Sequence, residues 1–538
     1  MGPYKAPGPD GIHVFFFQNL WGTVKIDVCN VVQAFFHSGS LLKVLNQTFI
    51  TLIPKIPNFE EVSHFRPINL CNVFYKIISK VLANKLKPIM DSIITPYQNA
   101  FSKGRSISDN IILAHEIIDV IRKKRERKES FGVLKIDMSK AYDRVNWNFL
   151  KAVLTVMNFD SKWIMECVSS IEYTLLINGS MTRSFKPSQG LRQGDPLSPY
   201  LFLMCANMLS ISLTQAENLK KIRVVKVGRN GLSFSNLLFA DDSLLFFRND
   251  NTSIQNLQLI LKWYCFISGQ SINLAKSNVF CSPTMLVKEQ IGLARTLQVN
   301  LVQQPNKFLI VQFKLRGNRI ANFQFLIVKL KAKVQGWKMK LLSQAGRTTL
   351  IASILQSLPL YSFSCFKVPK HVCYKMDSII HAFWWGHEHG ENKLYLLNWD
   401  KISQPKKLGG LGIKKFKCMN QAMLNKKYWR ICQNPQSLLA KAFKARYFPT
   451  CSIQDCRSKP HHSWVWRNII QQENHFLREG KWRVGNGYNI PLNHRNWISH
   501  PNLNLSQPHL PTRIIGDLID HNIRSWKVDL VRSLCLFP

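Results

Sequence analysis

The sequence predicts an α+β fold. Three features predict it. Short apolar runs bounded by Gly, Pro and Asn read as strands, and stretches with apolar residues at helical spacing lie between them. Beyond about residue 320 long amphipathic helices take over and strands thin out. Residues 1–47 open on the turn-rich KAPGPDG and continue into an apolar helical segment. FITLIPKIP (49–57) is a strand closed by prolines, which donate no ladder hydrogen bond. Helical spacing covers 74–90 and 107–121, and RKKRERKES (122–130) is a solvated turn. FGVLKIDMS (131–139) is a strand and 148–170 a helix. YTLLING and RSFKPSQG form a hairpin turning at Asn178-Gly179, a pair that accepts positive φ. Residues 199–214 are helical, and two strands flank the acids of LLFADDSLLFF (237–247). Residues 431–538, rich in Trp, His and Pro, read as irregular.

Charge narrows the function. Lys and Arg number 72 against 31 acids, a net charge of +41, and no Asp or Glu occurs from Gln290 to the residue before Asp377. A fold does not need that surplus; a polyanionic partner does. Thirteen scattered cysteines form no disulfide framework and point to a reducing compartment. No secretory leader pattern opens the chain, and no apolar run is long enough to span a bilayer. A soluble, intracellular protein that does not engage a membrane is the expectation. No Walker-type phosphate loop is present, which argues against a helicase or ATPase.

The acids raise the chemical question. Asp241 and Asp242 lie at a hairpin tip between apolar strands, and Asp137 ends another apolar strand. Taking each carboxylate out of water costs several kcal/mol unless something compensates it. Magnesium, an oxygen-seeking ion that takes a few carboxylates plus substrate phosphates, would compensate; a turn whose acids merely face water is the plainer alternative. Tyr142, five residues after Asp137, can stack beneath a nucleotide sugar. In SQGLRQGDPLSP (188–199) glycine permits close backbone approach and Gln193 can hydrogen-bond a ribose edge, although such turns are commonly structural. Lys55 and Arg66 face each other across a short loop, a pair that suits a triphosphate or simply belongs to the basic surface. Cys451, Cys456, His461 and His462 match no standard zinc spacing, and the histidines of HAFWWGHEHG read as part of a Trp-rich packing turn.

Taken in order, KAPGPDG, LIPK with FRPINL, QNAFSKGRSISDNI, KIDMSKAYDRVNW, GLRQGDPLSPYLF, FADDSLLF and SGQSINLAKS resemble the reverse transcriptases of non-LTR (LINE-type) retrotransposons, the plant versions in particular. The resemblance spans residues 5 to about 282 and continues through GWKMKLLSQAGRTTLIASILQSLPLY, FWWG and PKKLGGLGIK. It implies a right-hand polymerase fold of fingers, palm and thumb, with a mainly helical C-terminal extension. Residues 1–47 become a partial finger extension, 48–315 fingers and palm, 316–430 a helical thumb or connection, and 431–538 an irregular tail. It implies RNA-templated DNA synthesis from dNTPs on a DNA primer or target. Asp137, Asp241 and Asp242 become catalytic ligands of two Mg2+ ions, with Mn2+ as a substitute. Tyr142 becomes the gate against ribonucleotides, and Gln193 with Gly194 line the nucleotide pocket. Lys55 and Arg66 grip the triphosphate, and Lys276 protonates the leaving pyrophosphate. Nuclear residence follows from the family's need to reach chromosomal DNA.

There are departures from the family pattern. KFLIVQFK (307–314) stands where Tyr-Leu-Gly-Leu-Pro is usual, and Ser102-Lys103 replaces Val-Pro. The endonuclease and the ribonuclease H region of relatives have no counterpart, so a truncated copy with endonuclease supplied in trans is expected. The competing reading is a catalytically inactive remnant that only binds nucleic acid; a two-metal nuclease would leave Tyr142, Lys55 and Arg66 without purpose.

Overall fold

The computed structural model describes the chain except residues 125–128, 229–230, 304–318, 337–341, 387–393, 472–482, 489, 491, 493–513, 524 and 535–538. Two compact units emerge: residues 1–322 with 436–449, and residues 323–435 with 450–538.

Among the described residues the first unit carries two larger sheets and one two-stranded pair. β1 (Gln47–Pro54) pairs antiparallel with β2 (Phe65–Cys71) and parallel with β4 (Glu172–Ile177), which ends the sheet in a short hairpin with β5 (Ser180–Met181). Asn178 and Gly179 turn that hairpin with φ of 51° and 85°, the two positive values a tight two-residue turn needs. The second sheet runs β11-β10-β3-β9-β8, from β3 (Phe131–Ile136), β8 (Asn236–Phe239), β9 (Asp242–Arg248), β10 (Asn278–Cys281) and β11 (Asn300–Leu301). Between β5 and β8 lies the small pair β6 (Val225–Val227) and β7 (Leu232–Phe234).

Helices cover these sheets: α1 (Val14–Asn19), α2 (Trp21–Ser38), α3 (Val73–Leu86), α4 (Met90–Ile93), α5 (Ile107–Lys123), α6 (Trp147–Val156), α7 (Lys162–Ser169), α8 (Ser198–Asn218), α9 (Asn251–Ser268) and α10 (Val287–Leu297). The helix expected over 148–170 is two helices. Asn146 caps α6 by accepting from Asn148 N and Phe149 N at 2.8 and 3.1 Å, and Asn158 in the left-handed region (φ 59°) stops it. Ile136, Leu150, Leu154, Leu201, Leu203, Met204 and Leu245 are almost wholly buried in one continuous core. Each such side chain contributes about 1.5–3 kcal/mol relative to exposure.

The second unit is helical: α11 (Arg319–Gln335), α12 (Gln344–Ser353), α13 (Leu360–Cys365), α14 (Lys370–Trp385), α15 (Trp399–Ile402), α16 (Phe416–Gln433) and α18 (Trp464–Ile470). The buried Asn420 of α16 ties it together, donating to the Phe363 and Phe366 carbonyls at 3.0 and 2.8 Å and accepting from Val368 N at 2.9 Å. In FWWG, Trp384 is buried and its indole donates to Thr348 Oγ1 at 2.9 Å, so this tryptophan packs.

Helices therefore occur inside the stretch expected to be irregular. One of them, α17 (Leu438–Tyr447), belongs to the first unit. Arg446 Nη1 and Nη2 reach Glu116 and Asp119 of α5 at 2.5 and 2.6 Å, and Tyr447 donates to Glu116. Segment 307–314 and His387, Glu388 and His389 lie outside the described residues. Among the described residues no helix is long and apolar enough to cross a membrane.

Candidate active site

Strand register brings the acids together. β3 pairs with β9 so that Ile136 faces Ser243, and Phe239 faces Asp242 across the β8–β9 hairpin. Asp137 thus leaves the end of β3 beside the two-residue turn Ala240-Asp241. Ala240 sits at φ 53°, the left-handed region, which costs an L-residue about 1–2 kcal/mol. Such strain persists only where the surroundings impose it. Here the Ala240 N–H donates to Gln98 Oε1 at 3.1 Å.

The electrostatics of the pair follow from this geometry. Asp241 opens onto the cleft, yet the surrounding protein excludes enough bulk water to push its carboxyl above the ordinary range. The charge of Asp137 adds to that shift and Arg66 opposes it. Asp242 is also raised, first by burial; its main opposition is Lys135, whose Nζ lies 3.8 Å from its carboxylate. Asp137 N donates to Ser277 Oγ at 3.1 Å, and its carbonyl accepts from Asn273 N at 2.8 Å. Those bonds dock the loop bearing Lys276 against the acid.

Tyr142 and Gln193 stand on one wall. The Tyr142 ring stacks on Phe202 at 4.8 Å, and burial, with the charge of Asp241 adding, raises its hydroxyl pKa. The loop carrying Gln193 is laid directly on the backbone that carries Tyr142. Gly190 N donates to the Val145 carbonyl and Leu191 N to the Tyr142 carbonyl, both at 2.8 Å. Gly190 has φ 96°, and a Cβ there would meet the Asp143 carbonyl oxygen at 2.7 Å, so glycine is required. Gln193 Nε2 donates to Asp143 Oδ1 at 3.2 Å, and the Gln193 carbonyl accepts from Asn69 N of β2 at 3.1 Å. Opposite, the β1–β2 hairpin presents Lys55 and Arg66, both exposed; Lys55 Nζ donates to the Ser63 carbonyl at 3.0 Å.

All of this encloses one cavity of about 830 Å³. Its lining includes Lys55, Arg66, Asp137, Tyr142, Gln193, Gly194, Asp241 and Lys276. Asp242 is not part of that lining. Three further residues matter to the cavity and are not recognisable as functional from spacing alone. Asp143 orients Gln193. Arg192, buried, donates to Asn46 Oδ1 at 2.7 Å and lies 3.6 Å over the Tyr75 ring. Asp195, also buried, accepts from Ser79, from Ser198 at 2.9 Å and from Tyr75 at 3.4 Å. Burying charges inside a Gly-Pro-rich turn was the one available signal, since an exposed turn needs no such anchors.

Among the described residues no three His, Cys, Asp or Glu side chains converge as a metal-binding group, the three aspartates included. Asp137 and Asp241 still suit a hard divalent ion. They share one cleft, the charge of one raises the pKa of the other, and magnesium commonly takes one or two carboxylates and completes its shell with water and phosphate oxygens.

Residues 53–313 match the family model described as reverse transcriptase (RNA-dependent DNA polymerase). A Transposon TX1 uncharacterized 149 kDa protein of Xenopus laevis is 26% identical over 76% of this chain and 30% of its own length. The retrovirus-related Pol polyprotein of the type-1 retrotransposable element R2 of Popillia japonica is 28% identical over 51% of this chain and 37% of its own length. A solved telomerase of Candida albicans, in complex with a telomeric RNA fragment, superposes with a TM-score of 0.39 and 16% identity over 73% of this chain and 64% of that one. The chain spans about a third of the length of the two curated relatives. Its α+β architecture, a sheet that places Asp137 at the end of β3 and Asp241 in the β8–β9 turn beside the β1–β2 hairpin, is that of a right-hand polymerase. By this match residues 53–313 belong to the reverse transcriptase family, and the chain is related to proteins of non-LTR retrotransposons.

Proposed function

We propose that this chain is an RNA-directed DNA polymerase that extends a DNA primer or target along an RNA template, using dNTPs. The observation that carries the reading is the single cleft lined by Asp137 and Asp241 on one side and Lys55 and Arg66 on the other, with Tyr142 and Gln193 between. Arg66 and Lys55 bind the triphosphate, the guanidinium as a fork and the ammonium as a point charge. Tyr142 lies under the sugar, its ring held by Phe202, and crowds out a 2′-hydroxyl. Gln193 and Gly194 border the nucleotide. Asp137 and Asp241 hold the divalent metal, with Asp242 adding negative charge behind them. When bound, two Mg2+ ions, or Mn2+ in their place, supply activation of the primer 3′-hydroxyl and neutralise the leaving pyrophosphate. The 3′-hydroxyl loses its proton to solvent as its oxygen bonds to the α-phosphorus, the bond from that phosphorus to the α–β bridging oxygen breaks, and Lys276 gives a proton to the departing pyrophosphate.

Residues 48–315 serve as fingers and palm and 316–430 as thumb or connection. The net charge of +41 grips phosphate backbones with little sequence preference. Work at a chromosomal target calls for nuclear residence.

The test is primer extension on a defined RNA template with magnesium, beside Asp241→Asn. Extension by the parent alone supports the reading. Template binding at low salt without extension by either chain overturns it and leaves a nucleic-acid-binding remnant.

A further inference from the structure

We infer that Gln98 is the positioning residue that aims the Asp241 carboxylate into the cleft; what that carboxylate then does rests on the polymerase reading above. Gln98 is wholly buried, and its side-chain oxygen accepts from two backbone donors, Ala100 N and Ala240 N, each at 3.1 Å. Two converging N–H groups identify that atom as the amide oxygen. The segment around Gln98 is itself fastened to β8. Leu238 N donates to the Tyr97 carbonyl at 2.9 Å and Asn99 N to the Leu238 carbonyl at 3.2 Å. The buried Asn110 donates to the same Leu238 carbonyl at 2.7 Å and accepts from the Asn99 amide. The turn is thus held by β9 on one side and by residues 97–110 on the other.

Asp241 makes none of these contacts; its place follows from the peptide before it. Ala240 holds a φ that L-residues rarely adopt, and Gln98 is the side chain bonded to its N–H. Without that acceptor Ala240 relaxes toward negative φ, the peptide between residues 240 and 241 turns, and the carboxylate swings away from Asp137. Its Oε1 satisfies two backbone N–H groups that an apolar side chain of the same length would leave unpaired, while its Nε2 is buried without a hydrogen-bond partner among the described residues.

The experiment uses the full chain, with Mn2+ as the probe, read by electron paramagnetic resonance without nucleotide or primer. Gln98→Met keeps the volume and removes the acceptor. It is expected to weaken the Asp241-dependent Mn2+ binding by about 10–100-fold, the usual effect of removing a residue that orients a ligand. Extension should lose kcat while KM for dTTP holds. Adding Ala240→Gly, which lets position 240 keep positive φ unaided, should restore binding to within a few-fold of the parent. Gln98→Met binding Mn2+ as the parent does, or a double variant as weak as Gln98→Met, would overturn the inference. Should Gln98→Met not fold, the double variant against the parent decides it in the same way. A parent that binds Mn2+ through Asp241 but extends no primer would sink the polymerase reading alone, and the Gln98 comparison would still stand. A parent with no Asp241-dependent Mn2+ site would overturn both.

Discussion

Replacing Gly190 with alanine tests whether the wall of the cleft works as one piece. At φ 96° an alanine costs of order 1–3 kcal/mol in backbone strain. Its Cβ would also stand 2.7 Å from the Asp143 carbonyl oxygen, a backbone atom with no rotamer to escape through, and overpacking of this kind costs about 1–3 kcal/mol more. The loop can respond only by lifting from residues 142–145, stretching the Gly190–Val145 and Leu191–Tyr142 hydrogen bonds and carrying Gln193 with it. A displacement of about 1 Å at a reacting geometry costs on the order of 100-fold in rate. Gly179→Ala is the control, because Gly179 shares the positive φ (85°) but has nothing within 4 Å of a Cβ. The assay is single-nucleotide incorporation with kcat/KM for dTTP, alongside melting temperature, which falls by roughly 2 °C per kcal/mol in a unit this large. Both variants should melt earlier, and only Gly190→Ala should lose incorporation. Normal incorporation by Gly190→Ala, or an equal loss in Gly179→Ala, would refute the coupling of Tyr142 and Gln193 through this contact.

Asp241→Asn should abolish extension yet raise the melting temperature at neutral pH. A carboxyl whose folded pKa is raised stabilises the fold below its ordinary pKa, and that contribution is lost as pH rises through the raised value; an unchanged or lower melting temperature at pH 7 would contradict this. Asp377 in the second unit gives a numerical version, since burial raises its pKa from 3.8 to about 6. Its stabilising contribution is complete below about pH 4 and gone above about pH 6, so Asp377→Asn should gain up to about 3 kcal/mol at pH 7 and nothing at low pH; urea unfolding at the two pH values decides. Arg192→Met removes a buried guanidinium from beside Asn46, Tyr75 and Asp195, and should cost about 3–5 kcal/mol. Because this anchor sets the Gln193 loop, any folded fraction should show a raised KM for dTTP; a normal KM would detach the anchor from the pocket.

Much of the cleft could be read from local sequence. Asp137 and Asp241 each follow an apolar strand, and the FITLIPKIP to FRPINL hairpin already sets Lys55 opposite Arg66, with Ile53 facing Arg66 across the ladder. Period-2 alternation and turn residues carry that information within a few positions. What could not be read depends on partners far along the chain. Gln98 meets Ala240 across 142 positions, and nothing in QNAF announces a bond to the later turn. Asp143 reads as one more surface acid until Gln193 is brought against it. Asp242 is a different case: Asp241 lines the cleft from the turn, whereas Asp242 opens β9 and has Lys135 Nζ 3.8 Å from its carboxylate. The break at Asn158 was missed because apolar spacing continues on both sides of a residue that tolerates left-handed backbone.

The excursion of α17 into the first unit has a consequence for how the protein is made. A ribosome finishes all but the last helix of the first unit by residue 322, and that helix arrives only after residues 323–435 have been synthesised. Until then the Glu116 carboxylate, 1% exposed in the finished fold, lacks Arg446 and Tyr447. Withdrawing the cation from a buried pair costs about 3–5 kcal/mol. A recombinant fragment cut after Asn322 would carry the same deficit permanently, whereas extending it through Pro449 would remove the deficit.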